Sequence, residues 1–255
     1  MDKGSVQLMD ATLLFSTPFE QAMTLKGRVM RVLRRRRLHA ESFAALEGLT
    51  LEVSPGETFG IIGANGSGKS SLLKLVAGVY APSRGHVATT GRVTALLELG
   101  TGFHTDLTGR ENILLNGLVL GMTRREIVQR EEEIVEFSGL GRFIDAPVRH
   151  YSAGMFMRLG FSVAAHADPD IFLIDEVLGV GDEAFQHRCF PRIREFQAQG
   201  KTILFASHDL ATLAALCRRG IWLHQGRVMA LGPMPEVVQH YRDAVGKGEG
   251  GSIES

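Results

Sequence analysis

The sequence has little cysteine and no excess of charge of either sign. Only Cys189 and Cys217 occur in the 255 residues, and they form neither a CxxC pair nor a disulfide framework, which is typical of a protein in a reducing cytosol. The 28 basic and 28 acidic side chains balance, so no overall field attracts nucleic acid. We therefore expect no nucleic-acid partner, and any anion site must be local.

Long hydrophobic runs are also missing. No apolar stretch approaches the ~20 residues that cross a bilayer, and Met1–Ser5 lacks the basic region and apolar core that open a signal peptide. If the protein works at a membrane, another chain is expected to span it. The length of 255 residues favours one well-packed domain with room for a subdomain.

A glycine-rich segment lies between a short apolar run, Thr58–Ile62, and an apolar pattern of helical spacing that ends near Gly78. The segment fits GxxxxGKS and consists of Gly63, Ala64, Asn65, Gly66, Ser67, Gly68, Lys69 and Ser70. Its glycines let successive N–H groups point inward, and the following helix N-terminus favours anions. We predict a nucleotide phosphate site, with Lys69 at the outer phosphates and the Ser70 hydroxyl on Mg²⁺.

Polar residues directly follow two further apolar runs, which are predicted to be strands. Asp175 and Glu176 follow the run 170–174, and His208 follows the run 202–206 through a serine. In an open α/β sheet these positions lie at the same edge as the glycine-rich loop. We predict that Asp175 holds the hydration shell of Mg²⁺ and that Glu176 polarises the water that attacks the γ-phosphate. His208 is predicted to contact the γ-phosphate or to join a proton network, the alternative being a structural role.

Strands and helices alternate through most of the chain, which predicts an α/β fold with a largely parallel sheet. Two strands, at 6–15 and 43–53, precede the glycine-rich loop, and Pro82–Gly85 is predicted to be a turn. A mostly helical stretch separates the strand at 93–97 from the strand that begins at Ile171, and Thr108–Glu111 resembles a capping box within it. We predict one domain over 1–245, a helical subdomain over about 100–167, a basic insertion over about 18–42 and a flexible tail over 246–255.

The basic insertion carries seven basic side chains and no acidic one between Glu20 and Glu41. They are Lys26, Arg28, Arg31, Arg34, Arg35, Arg36 and Arg37. The segment Lys26–Arg37 could contact anionic lipid or an acidic partner surface, or it could be a solvated face or loop.

The motifs in this order resemble those of an ATP-binding-cassette ATPase, and the match covers nearly the whole chain. They are the glycine-rich loop, Tyr151–Met155, Asp175–Glu176, Gly181–Asp182 and Ser207–His208. The resemblance implies a P-loop NTPase cassette with a mostly parallel sheet, an N-terminal antiparallel β part and an inserted helical subdomain. It also implies ATP and Mg²⁺ as cofactors.

The resemblance extends to residues that act between two copies of the chain. A segment that opens a helix stands where the family has its LSGGQ signature, namely Tyr151, Ser152, Ala153, Gly154 and Met155. In the family this helix N-terminus binds the γ-phosphate of ATP held by the other subunit, so a head-to-tail homodimer is expected. Asp182 resembles the aspartate that couples the two sites. Phe15, with Phe43 second, is the candidate to stack on adenine, and a core phenylalanine is the alternative.

Two positions depart from the family pattern. Ser71, which we include in the nucleotide-binding loop, stands where the family commonly has threonine. No glutamine follows the strand at 93–97, where the family has one that senses the γ-phosphate. Glu98 is the nearest polar side chain, and its carboxylate could reach Mg²⁺ or its waters but could not donate a hydrogen bond as glutamine does.

Several stretches are similar to the ATPase subunits of bacterial polysaccharide exporters, which handle O-antigen, capsular polysaccharide or teichoic acid. They are 96–104, 107–112, 151–155 and 175–182. Such subunits pair with a separate membrane-spanning permease, which implies peripheral attachment to the cytoplasmic face of the bacterial inner membrane. The alternatives are a cassette exporter of a lipid or drug, a cassette ATPase unconnected to transport, and a P-loop small-molecule kinase.

Overall fold

The computed structural model describes residues 2–16, 42–97, 102–175 and 183–246. The strands are β1 (Val6–Ser16), β2 (Ser42–Val53), β3 (Thr58–Ile62), β4 (Arg84–Thr89), β5 (Val93–Leu96), β6 (Ile171–Ile174), β7 (Thr202–Ala206), β8 (Arg219–His224) and β9 (Arg227–Pro233). The α-helices are α1 (Lys69–Val76), α2 (Gly109–Val119), α3 (Arg124–Ser138), α4 (Ala153–Ala165), α5 (Glu183–Ala198), α6 (Leu210–Leu216) and α7 (Met234–Gly246). Two 3₁₀ turns, Gly141–Asp145 and Val148–His150, precede α4.

Two sheets form the framework. A six-stranded sheet has the order β5-β6-β7-β3-β8-β9 and is parallel except for β9, while β2, β1 and β4 form a three-stranded antiparallel sheet. Every residue of β3, β6 and β7 is buried, as expected for parallel strands that are covered on both faces. The predicted α/β fold with a mostly parallel sheet and an N-terminal antiparallel part is confirmed.

The sheet core and the helical segment have separate apolar clusters. One cluster fills the space between the two sheets and α1, and a second packs α4, α5 and α7 against the larger sheet. A third lies among α2, α3, the 3₁₀ turns and α4. Among the residues that the structure describes, no helix is both long enough and apolar enough to cross a membrane.

Two strands were not predicted from the sequence. β4 begins at Arg84, so the predicted turn at Pro82–Gly85 is wrong in its second half. β9 pairs antiparallel with β8 at the edge of the larger sheet. No residue of either strand is buried; β4 has no apolar run, and the four apolar residues 228–231 of β9 are too few to distinguish a strand from a helix.

Candidate functional site

Three neighbouring strands bring the predicted site residues to one edge of the larger sheet. β7 lies between β6 and β3, and the register pairs Ile174 with Phe205 and Ala206 with Ile61. The carboxyl ends of these parallel strands are therefore nearly level. The structure places Asp175, His208 and the glycine-rich loop at the same edge, which is where ligands bind in open α/β sheets.

The glycine-rich loop closes tightly at both ends. A Cβ on Gly63 would lie 2.3 Å from Ser67 Oγ and 2.5 Å from the Leu223 carbonyl oxygen. Gly68 has φ of 107°, and a Cβ there would lie 2.9 Å from the Ala45 carbonyl oxygen. Both positions therefore require glycine, for space at Gly63 and for space and backbone conformation at Gly68.

Inside the loop, Lys69 points back toward the backbone. Its Nζ donates to the carbonyl oxygens of Gly63 at 2.8 Å and Ala64 at 3.1 Å, and the side chain is 5% exposed. Gly68 is the N-cap of α1 and provides no side-chain hydrogen bond to the first turn. The N-terminal N–H groups of α1 and a buried ammonium thus converge on a position that fits a phosphate.

A cavity of about 360 Å³ adjoins this loop. One side is lined by apolar residues, Phe15, Phe43 and Ala45, and the other by residues of the loop and α1. Phe15 lies opposite Phe43 in the β1–β2 pairing, and their side chains are 37% and 61% exposed. Neither is therefore a core phenylalanine, and together they form an apolar platform beside the phosphate position.

Sequence reasoning missed the residue that supports this platform. The ring of Tyr80 meets that of Phe15 edge to face, with centroids 5.3 Å apart, and Lys74 Nζ lies 5.8 Å from the Tyr80 centroid. Tyr80 follows α1 in a segment without periodic pattern. Its contact with Phe15 joins two segments that are far apart in the sequence, so no local signal identifies it.

The polar residues at the strand ends differ in exposure. Asp175, after β6, is 8% exposed, whereas His208, after β7, is exposed, as is Ser70 in the first turn of α1. The Ser207 hydroxyl accepts a hydrogen bond from the backbone N–H of Asp209 at 3.0 Å. Asp209 in turn caps α6, and the hydrogen bond from the Thr212 hydroxyl lowers its pKa. The strand end that carries His208 is thus held by a local hydrogen-bond network.

The predicted signature segment opens α4. Ser152 is the N-cap of the helix, and its Oγ accepts from the Met155 N–H at 3.2 Å. Ser152 and Ala153 are exposed. A Cβ on Gly154 would meet only the Ser152 hydroxyl, at 3.9 Å. This helix N-terminus therefore has space around it for an anion from outside the segment.

Tyr151 attaches the signature segment to the helical part of the chain. Its hydroxyl donates to the Phe143 carbonyl oxygen at 2.7 Å, and burial raises its pKa to about 12. A Cβ on Gly109 would lie 2.2 Å from this hydroxyl, so the tyrosine fills a space that the glycine leaves open.

Several predicted residues lie outside the part of the chain that the structure describes. They are Glu98, Glu176, Asp182 and the basic residues of Lys26–Arg37. Their assignments stay predictions.

The strand-loop-helix phosphate site at the carboxyl edge of a mostly parallel sheet defines an α/β P-loop nucleotide-binding protein. The family model of the ABC transporter matches residues 46–179. The chain is 49% identical, over 82% of its length and 85% of the relative's, to the O-antigen export system ATP-binding protein RfbB of Klebsiella pneumoniae. The chain therefore belongs to the ABC transporter family, as one of its ATP-binding cassettes.

Other relatives are longer than this chain. The O-antigen export system ATP-binding protein RfbB of Myxococcus xanthus is 49% identical over 89% of the chain, which spans 52% of that relative. The teichoic acids export ATP-binding protein TagH of Lactiplantibacillus plantarum is 46% identical over 78% of the chain and 55% of the relative.

Solved structures confirm the fold. A dimeric ATP-binding cassette in a post-hydrolysis state with ADP and phosphate has a TM-score of 0.72 at 20% identity, covering 90% of this chain and 98% of that one. An ATP-binding subunit of an ABC transporter has a TM-score of 0.71 at 24% identity, covering 97% of this chain and 95% of that one.

Proposed function

We propose that the chain is the ATP-hydrolysing subunit that powers export of a polysaccharide or lipid-linked glycan across the cytoplasmic membrane, with a separate permease. The observation that carries this proposal is the 49% identity to O-antigen export proteins over most of the chain. The relatives named for teichoic acid export support the same substrate class. Peripheral attachment to the cytoplasmic face of the membrane follows from this function.

The residues at the sheet edge suit the steps of ATP hydrolysis. Lys69 would leave the loop carbonyls for the outer phosphates, and the apolar platform of Phe15 and Phe43 would stack on adenine. The Ser70 hydroxyl would be a ligand of Mg²⁺, and Asp175 would hold the hydration shell of the ion. Mg²⁺, when bound, would neutralise phosphate charge. Glu176 orients and polarises the attacking water, and His208 contacts the γ-phosphate.

The signature segment acts in the second subunit of a dimer. The exposed Ser152 and the open space at Gly154 support an anion site at the N-terminus of α4 that a partner's γ-phosphate completes. In this arrangement two chains meet head to tail, and each nucleotide lies between the loop of one copy and α4 of the other. Asp182 is assigned to the same interface. Glu98 is assigned to Mg²⁺.

The helical insertion between about Gly100 and Arg149 is proposed to contact the permease. Leu118 and Val119 at the end of α2 and Val128 on α3 are 49%, 63% and 61% exposed. Exposed apolar side chains on two packed helices suit a contact with another protein. The chain would transmit nucleotide-dependent closure of the dimer through this contact, because only a difference between the open and closed states can drive the permease.

The function is tested in cells whose own copy of this gene is replaced by Lys69→Met. We expect the polymer to disappear from the cell surface and to accumulate inside, because the variant lacks the ammonium that contacts the outer phosphates. Arg194→Met, on the exposed side of α5, is the control and should export normally. Normal surface polysaccharide in the Lys69→Met cells, with a change in lipid or drug export instead, would overturn the assignment of substrate class.

A further inference from the structure

Three arginines contact the carboxyl end of the signature helix α4. Arg192 donates from Nε and Nη2 to the Ala165 carbonyl oxygen, at 3.0 and 2.9 Å. Arg130 donates to the next carbonyl, that of His166, and Arg92 to that of Ala167 at 2.9 Å. The last carbonyls of a helix lack partners within the helix and carry partial negative charge, so cationic donors are favourable there. We call these three residues the arginine bracket.

The members of the bracket come from separate parts of the fold. Arg92 precedes β5, Arg130 lies on α3 and Arg192 lies on α5. Arg192 alone contributes two hydrogen bonds to one carbonyl. Two donors from a planar guanidinium fix direction as well as distance, which a single bond does not. A further contact between Arg192 Nη1 and Glu195 Oε2, at 2.5 Å, holds the same guanidinium from its other side.

The helix that carries Arg192 also contacts α3. Arg188, one turn earlier on α5, donates to the carbonyl oxygens of Glu136 and Phe137 near the end of α3, at 3.3 Å each. The rings of Phe137, Phe161 and Phe185, one from each of the three helices, have centroids 5.7 to 6.1 Å apart. The rings provide apolar contact between the helices, and the hydrogen bonds of the arginines fix the direction in which the helices meet. α5 therefore holds the ends of both α3 and α4.

The position of α5 in the chain relates its contact with α4 to the proposed site of hydrolysis. α5 begins at Glu183, directly after the segment that carries Glu176 and Asp182, the proposed base and interface aspartate. α4 runs from the arginine bracket to Ser152 and Gly154 at its opposite end. Arg192 thus provides hydrogen bonds between the helix that follows the hydrolysis segment and the helix that faces the partner's nucleotide, beside the ring contact of Phe185 with Phe161.

Helix geometry shows how sensitive the far end of α4 is to this contact. A helix of 13 residues is about 20 Å long. A tilt of about 10° at the arginine bracket would displace the other end by about 3 Å. A misplacement of about 1 Å can reduce the rate of a positioned reaction by about two orders of magnitude.

We propose that Arg192 is a positioning residue that sets the angle between α5 and α4, so that Ser152 and Gly154 meet the γ-phosphate of the partner subunit. This inference rests on the proposed head-to-tail dimer and adds the residue that orients its signature helix. Arg192 acts through α4 and does not touch the nucleotide. Its substitution therefore affects the ATP-dependent dimer without affecting nucleotide binding to a single chain.

The test compares four variants of the 255-residue chain that share Glu176→Gln, which slows hydrolysis so that the ATP-bound dimer accumulates. They carry no further change, Arg192→Met, Arg192→Lys or the control Arg194→Met. Light scattering gives the ATP concentration at half-maximal dimerisation, and calorimetric titration gives the ADP affinity of the single chain. Circular dichroism establishes that each chain is folded at the assay temperature.

We expect Arg192→Met to raise the ATP concentration at half-maximal dimerisation by on the order of tenfold, since the lost bonds involve a charged donor. Arg192→Lys should restore part of the loss because it keeps the charge and can still donate to the carbonyl, but without the planar pair of donors. The ADP affinity of the single chain should change less than twofold, and Arg194→Met should match the parent.

Three results would overturn the inference. Unchanged dimerisation of a folded Arg192→Met chain would show that the bracket only stabilises the fold, and so would unchanged dimerisation of Arg192→Lys if the methionine variant does not fold. An equal loss of ADP affinity and dimerisation would assign Arg192 to its own subunit's nucleotide site. A parent chain that never dimerises with ATP would remove the proposed dimer, and the inference with it.

Discussion

Phe15 and Phe43 face each other across β1 and β2, and their rings line the cavity beside the phosphate loop. We predict that Phe15→Ala and Phe43→Ala each weaken ATP binding by about tenfold, because stacking on one aromatic ring contributes ~1–3 kcal/mol per base. Nucleotide titration of the purified chain measures the effect. Phe143→Ala, which removes a ring that is 47% exposed on the turn before α4, is the control. Wild-type affinity in both cavity variants would contradict the adenine assignment.

Two buried threonines in the larger sheet give opposite predictions for stability. Thr94 and Thr202 are both 0% exposed. The Thr94 hydroxyl has no hydrogen-bond partner among the residues that the structure describes. The Thr202 hydroxyl donates to the Gly4 carbonyl at 2.7 Å and accepts from the Gly56 N–H at 2.9 Å.

Thr94→Val should therefore raise the free energy of unfolding by ~1 kcal/mol, because valine removes an unsatisfied buried hydroxyl at nearly constant shape. Thr202→Val should lower it by ~1–3 kcal/mol, because Gly56 and Gly4 lose their partner. Urea unfolding followed by circular dichroism compares the two variants. A loss of stability in Thr94→Val equal to that in Thr202→Val would contradict this difference in hydrogen bonding.

At the level of single residues, the sequence motifs predicted where the site residues lie. They did not predict the residues that hold the site residues and the signature helix in place. The structure brings Lys69, Asp175 and His208 to one edge, as the strand-end pattern indicates. It also places both phenylalanines beside the loop, although the sequence left core burial as an alternative. Tyr80 and Arg192 were not predicted, because their roles arise from packing between distant segments.

Among elements, α4 links the proposed signature to the sheet core, and its carboxyl end contains a buried histidine. His166 is 7% exposed, and its Nδ1 lies 2.7 Å from the Ser162 carbonyl oxygen. Burial lowers its pKa, and Arg192 and Arg130 act in the same direction, while the hydrogen bond to the Ser162 carbonyl and the charge of Glu133 oppose the shift. The imidazole is therefore neutral in the folded chain at neutral pH.

Because this pKa is lower in the folded than in the unfolded chain, the unfolded chain binds the proton first as the pH falls. The free energy of unfolding should therefore decrease between pH 7 and pH 5, with a slope of at most about 1.4 kcal/mol per pH unit from this residue. His166→Gln should flatten this dependence. His86→Gln, at an exposed position, should leave it unchanged, and a wild-type slope in His166→Gln would contradict the assignment. Denaturant titrations at each pH provide the values.

The elements that the sequence predicted best are those whose signal is local. The apolar runs of β3 and β7 match the strands residue for residue, and Thr108–Glu111 forms the expected capping box of α2. β4 and β9 escaped prediction because they are edge strands that pair with β1 and β8. Their strand conformation comes from those partners and not from an alternating pattern of their own.

For the whole molecule, the α/β architecture followed from the alternation of strands and helices, and the comparisons confirm the family. The arrangement within one chain leaves two features incomplete. The phosphate loop lies at an open sheet edge, and the N-terminus of α4 has space for an anion. A second copy placed head to tail would join each feature to the other, which is the central claim about how this protein works.

The most direct measurement of that claim is the solution mass of the Glu176→Gln chain by light scattering, with ATP and Mg²⁺ and then with ADP. We predict twice the mass of one chain with ATP and the mass of one chain with ADP. Adding Gly154→Asp should abolish the ATP-dependent dimer but leave ATP bound to the single chain, since a carboxylate at the N-terminus of α4 repels the partner's γ-phosphate. The account would be contradicted if the Glu176→Gln chain bound ATP but kept the mass of a single chain. It would also be contradicted if Gly154→Asp left the ATP-dependent dimer intact.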